Sequence, residues 1–357
     1  MYDGWALAYA PGSPAALHLL ALLANLSPQV QALIALPNKP ADQLPTGATV
    51  CLHPTPNTSR QHLVWEQATL PRIAQQSDAG LLHFPQPNAP LFTRFPVIAE
   101  AISSGKRASG DESADIYSHL SAASGTGGLS RLKLQLWPAD LPAADGSNRL
   151  ARLPPLVHPG FKFAQRLDPN NLGTPETYIL YHGLLDRQRT TQILEAWRWA
   201  ANSIGASYPL LIAGASLRQL PALQILIEES GLGWSVRLLP PQNITALAAL
   251  YRGCAVFFHP LPSNNWGDPL RHAVAGGVPV AACSDPLSSA LTGPAAYLAP
   301  VGNTRLLGAS LLSLIVEESL GEKLAAAARE RAANWNTVDF GSRLWEVYQQ
   351  VIHPTGV

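Results

Sequence analysis

The sequence has 357 residues and a hydrophobic fraction of 47%, but only 13% of it is charged, against about a quarter in ordinary soluble domains. Lys+Arg and Asp+Glu both number 24, so the formal net charge is zero. These values exclude a disordered chain, a long coiled coil and a basic, non-specific nucleic-acid binder, and the length suits one large or two ordinary domains.

From the N-terminus, Leu7 to Tyr9 and Gln31 to Ala35 read as short strands, and Ala15 to Leu26 as a helix. His18 and Asn25 interrupt that helix and no basic segment precedes it, so neither a membrane span nor a signal peptide is expected. Leu63 to Gln76 reads as a helix; Gly80 to Phe84 and Pro96 to Ile102 read as buried strands. Ser103 to Gly128 is rich in Ser, Gly and Ala and reads as a spacer loop. Pro138 to Asp145 reads as a second loop, and Pro154 to Pro159 as a connection between domains.

The second half is more regular. Strands are expected at Tyr178 to His182, Pro209 to Ala213, Ser235 to Leu239, Ala255 to His259 and Val278 to Ala282. Helices are expected at Thr190 to Ala201, Leu220 to Ser230, Thr245 to Arg252, Pro269 to Ala275, Thr304 to Glu318, Glu322 to Asn334 and Asp339 to Ile352. Alternating short strands and helices mean βαβ units and a doubly covered parallel sheet, whose ligands sit beyond the carboxyl ends of the strands. Gly183, Gly214, His259 and Cys283 fall on that edge. Cys51, Cys254 and Cys283 have no metal-ligand spacing, which points to structural thiols in a reducing, cytoplasmic compartment. A neutral, apolar chain also suggests contact with a partner protein or a membrane surface.

The densest motif runs from Ser263 to Val280. Asp268 suits an N-cap and Pro269 the first helical position, so the free N–H groups around Gly267, Asp268, Pro269 and Leu270 form an anion site. Asn264 and His272 bracket it. This stretch, N-N-W-G-D-P-L-R-H-A-V-A-G-G-V-P-V, resembles the pattern E-G-F-G-L-P-P-L-E-A-M-A-x-G-V-P-V of family 4 (group 1) glycosyltransferases of the GT-B fold. Tyr178 to Arg189 resembles that family's first strand and phosphate loop. Leu210 to Gly214, Leu247 to Arg252, Val256 to Pro260 and Gly293 to Pro300 follow in the family's order. Trp65-Glu66-Gln67, Leu70-Pro71, Leu81 to Pro85 and Leu156 to Phe161 resemble its first domain, although Val97 to Ala101 carries no counterpart of its V-H-D-L segment.

The resemblance implies an α/β protein of two Rossmann-like domains facing across a cleft. Residues 1–155 would form the acceptor side and residues 156–357 the nucleotide-sugar side, with the helix near residue 352 packing back on the first. It implies a retaining, metal-independent transfer without a cofactor, from a GDP- or UDP-sugar to a glycan or lipid-linked acceptor, with no nucleic acid involved. Gly183, Arg189, Asn264, Gly267, Asp268, Pro269, Leu270 and His272 would hold the donor, with His83, His182 and His259 at the cleft. Asn264 and His272 replace the two glutamates of the family, Ala290 replaces a third, and Gln188 replaces an arginine. A catalytically inactive relative serving as a binding or scaffolding partner is therefore the competing reading, with a GT-B epimerase a third.

Overall fold

Short segments of two to six residues, most of them rich in apolar side chains, fold here as parallel strands in two sheets, and the positions of the chain reversals decide where ligands can bind. The computed structural model describes the chain apart from residues 86–89, 91–92, 101–132, 142–149, 164–172, 264–268, 336–337 and 354–357. The first sheet holds β1 (Tyr2–Asp3), β2 (Leu33–Leu36), β3 (Thr49–Leu52), β4 (Leu82–Phe84), β5 (Val97–Glu100), β6 (Lys133–Pro138) and β7 (Leu150–Leu153), in the order β3-β2-β1-β4-β5-β6-β7. The second holds β8 (Ile179–His182), β9 (Leu210–Ala213), β10 (Val236–Leu238), β11 (Val256–His259), β12 (Val280–Ser284) and β13 (Ala296–Pro300), in the order β10-β9-β8-β11-β12-β13. Neighbouring strands are parallel throughout.

Strand order reverses between β1 and β4 in one sheet and between β8 and β11 in the other. At such points the connecting helices leave on opposite faces and open a crevice beyond the carboxyl ends of the strands. Strands β8, β9 and β11 are buried along their whole length, as continuous apolar runs covered on both faces must be.

Helix caps follow the local chemistry. Asp186 accepts a hydrogen bond from Arg189 N and starts helix Arg187–Ile204, whose Ile193, Leu194, Trp197 and Ala201 are buried. Ser13 caps helix Pro14–Ala24, which is apolar on nearly every side because it lies inside the molecule. It shares one core with Phe340, Leu344, Val347 and Val351 of helix Val338–Ile352. That helix also reaches the first sheet, where Tyr348 Oη lies 2.9 Å from Tyr2 Oη and 2.7 Å from His83 Nδ1.

Several sequence expectations change. Leu7 to Tyr9, expected as a strand, belongs to helix Trp5–Tyr9, while Tyr2–Asp3 takes the place in the sheet. A three-residue apolar run carries no period that separates the two. The helix expected from Leu63 begins earlier, at Ser59, with Thr58 as its cap. It passes through a wide π turn at Trp65–Thr69 before Leu70–Gln76. Pro71 has no N–H for the carbonyl four residues back, and the wide turn absorbs that loss. Pro138 closes β6 rather than opening a loop; residues 142–145 of that expected loop, and the spacer expected at Ser103 to Gly128, lie outside the described residues. Among the described residues, no helix is long and apolar enough to cross a membrane, and none of the three cysteines forms a disulfide.

Candidate functional site

The crevice at the β8/β11 reversal is a pocket lined by Tyr181, Gly183, Leu184, Arg189, His259, Leu261, Pro262, Ser263 and Pro269, with Pro14 reaching in from the other half. Its floor is tight. A Cβ at Gly183 would meet Tyr181 Oη at 2.7 Å and have to displace that hydroxyl, and one at Gly214 (φ +109°) would meet Gly183 O at 2.2 Å, so the second strand end requires glycine.

Arg189 supplies the pocket's cationic group. It sits in the first turn of an 18-residue helix whose positive dipole end points the same way. The guanidinium is ion-paired with Asp186, and both side chains are about one-fifth exposed, at 22% and 21%. Asp186 thus does two jobs, capping the helix and partly neutralising the arginine.

His259 closes the opposite wall. Its Nε2 lies 3.4 Å from Ser263 Oγ, which lies 3.0 Å from Ser288 Oγ. Ser288 donates in turn to Asp285, and Asp285 also accepts from Ser263 N at 3.2 Å. Asp285 is the N-cap of helix Pro286–Thr292. The Asp-Pro pair is a legible start signal, but nothing in the spacing announces the chain of hydroxyls leading to His259.

The sequence-derived residues therefore separate. Gly183, Arg189, His259 and Pro269 meet in one pocket. Leu270 and His272 lie behind it, at 0% and 2% exposure. The His272 ring packs 4.2 Å from that of Phe161 and 6.4 Å from that of Tyr251. Asn264, Gly267 and Asp268 lie outside the described residues.

His182 is wholly buried between the halves. Its Nε2 donates to Gly12 O at 2.6 Å, so Nδ1 accepts from Tyr251 Oη at 2.7 Å. Burial pushes its pKa down to about 4, so the ring is a neutral strut rather than a proton carrier. His83 is equally buried. It donates through Nε2 to Glu100 at 3.2 Å and accepts from Tyr348 through Nδ1, and His18 Nε2 lies 3.0 Å from the same Glu100 oxygen. Burial lowers the His83 pKa; Glu100 is held below its ordinary value because the two histidines outweigh its burial.

At the corresponding reversal of the first sheet, Asp3 at the end of β1 meets His62 and Glu66, an arrangement with metal-ligating character.

No family model matches the sequence, and no curated protein matches it. Solved structures do. The chain is similar to WaaG, a glycosyltransferase involved in lipopolysaccharide biosynthesis, at 15% identity and TM-score 0.70, with 100% of this chain and 99% of that one covered. It is similar to sucrose-phosphate synthase from Thermosynechococcus elongatus at 15% identity and TM-score 0.69, with 99% of both chains covered. It is also similar to HepE from Anabaena in complex with UDP-glucose, at 14% identity and TM-score 0.63, with 98% of both covered. With its two parallel sheets, the chain has the GT-B fold.

Proposed function

We propose that this protein transfers a sugar from a UDP- or GDP-sugar to a glycan or lipid-linked acceptor. The observation that carries the reading is the pocket at the β8/β11 reversal, where Gly183, Arg189, His259 and Pro269 converge beneath Pro14 from the opposite half. The fold adds weight, since solved neighbours hold UDP or UDP-glucose. In this reading Arg189 and the helix end beside it hold the diphosphate, because a guanidinium fork binds two oxygens and a helix N-terminus favours anions. Asn264, Gly267, Asp268, Leu270 and His272 belong to the donor side as well. Transfer is retaining and metal-independent, and rests on stabilising the leaving phosphate and positioning the acceptor.

Titration of the full chain with UDP, GDP and their sugars tests this. Arg189→Ala is expected to weaken diphosphate binding about 10- to 100-fold, the equivalent of one charged hydrogen-bond pair. No binding of any of these ligands to the unaltered chain overturns the reading.

The competing reading, a non-catalytic partner of an active transferase, draws on two observations. Arg189 is already paired with Asp186, and His272 is packed under Phe161 rather than presented to the pocket. Donor turnover that disappears in Arg189→Ala contradicts this second reading. Binding without turnover, together with co-purification of a second transferase, favours it.

A further inference from the structure

We infer that Asp3, His62 and Glu66 form a site for one divalent metal ion of the zinc class, separate from the pocket around Arg189. Each residue places one donor atom within 4.8 Å of the other two. Asp3 and Glu66 are buried, at 5% and 1% exposure. Among the described residues no lysine or arginine pairs with either; the ion-pair partner of Glu66 is His62, 3.1 Å away, one helical turn earlier. Glu66 Oε2 is buried and accepts no hydrogen bond among the described residues. A buried carboxylate oxygen without a donor is costly, and a cation is the kind of ligand that relieves it.

The surroundings orient these groups as ligands. Asp3 Oδ1 accepts from Trp5 N at 3.0 Å and from Trp65 Nε1 at 2.9 Å, which fixes the carboxylate plane. The His62 ring stacks on Trp5, with centroids 4.3 Å apart and planes 16° apart. Fixing of ligands by outer partners is a mark of metal sites. The His62 side chain is 29% exposed, which leaves a way in from solvent. The cluster also stands at the β1/β4 reversal, the crevice of the first sheet. One imidazole and two carboxylates make a borderline N,O,O donor set, which zinc accepts with a water as fourth ligand.

The test is calorimetric titration of the chelator-stripped full chain with ZnCl2, alone and in the Asp3→Asn and Glu66→Gln variants. Asn keeps an acceptor for both tryptophan N–H groups, and Gln removes a buried charge without changing shape. The expected result is one equivalent of zinc bound at micromolar strength or better, weakened at least about 100-fold in each variant. Absence of binding up to millimolar zinc overturns the inference, as does stoichiometric binding that survives unchanged in both variants. Should either variant fail to fold, His62→Gln on the partly exposed ligand decides: zinc binding retained at full strength overturns the inference, and zinc binding lost supports it.

Discussion

Single side chains in this molecule change role according to their immediate partner. Arg189 is offered to the pocket yet held by Asp186. Asp186→Asn keeps an N-cap acceptor and removes the competing charge. A unit charge about 5 Å from a phosphate is worth about 0.8 kcal/mol in water-like surroundings. This variant is therefore expected to bind UDP about four-fold more tightly in the same titration. His182 responds to pH instead. Its folded pKa of about 4 lies below the ordinary histidine value, so the unfolded chain takes up the proton first. The neutral form stabilises the fold above pH 6.5, and that contribution is lost as pH falls toward 4. His158, also lowered to about 4 by burial, and His83 act in the same direction. Asp3, raised to about 6, opposes them, since its proton is held more tightly in the fold. Unfolding measured between pH 4 and 7 is expected to show stability falling with acid, and His182→Gln is expected to lower the slope by up to about 1.4 kcal/mol per pH unit.

At the scale of elements, helix Val338–Ile352 is held to the first sheet by hydroxyl and imidazole groups as well as by apolar packing. Tyr348→Phe removes the oxygen shared by Tyr2 and His83. It is expected to cost about 1–3 kcal/mol in denaturant unfolding, since His83 Nδ1 then loses its donor inside the protein. This helix was readable because Phe340, Leu344, Val347 and Val351 recur at helical spacing. The doubly covered strands of the second sheet were equally readable, as unbroken apolar runs ending in Gly or His. Strand β3 was not: its apolar run, Val50 to Leu52, is only three residues long and expresses no period. Helix Trp5–Tyr9 is too short to express a period. Within the site, Gly183 and Pro269 follow from strand and cap signals, whereas Arg189 rests on the family resemblance. The contacts of His83 with Glu100 and Tyr348 span 17 and 265 residues, and no local spacing encodes such distances. In Asp3, His62 and Glu66, the helix expected from Leu63 left His62 out, and the union of the pair with β1 depends on the sheet.

Across the whole molecule, the two sheets are tied by a few specific contacts. His182 bonds Gly12 O, Ile244 N donates to Asp42 at 2.7 Å, and Arg218 donates to Asn57 O at 2.7 Å. A charged tie is made by Arg271, itself fully buried, which donates twice to Asp140 at 2.8 and 3.1 Å and lies 5.0 Å from the Trp335 ring. Removing one member of such a pair leaves the other charge uncompensated. Asp140→Ala is expected to cost about 3 kcal/mol, and Arg271→Met less, because an apolar side chain fills the same space; thermal unfolding of the two variants checks the order. The bond between Tyr2 and Tyr348 joins residues 346 positions apart. A ribosome releases Tyr2 long before Tyr348 exists. Until then β1 and β4 present Tyr2, His83 and an uncovered apolar face, which helix Val338–Ile352 later closes. The first sheet therefore completes its packing only after the second has been synthesised.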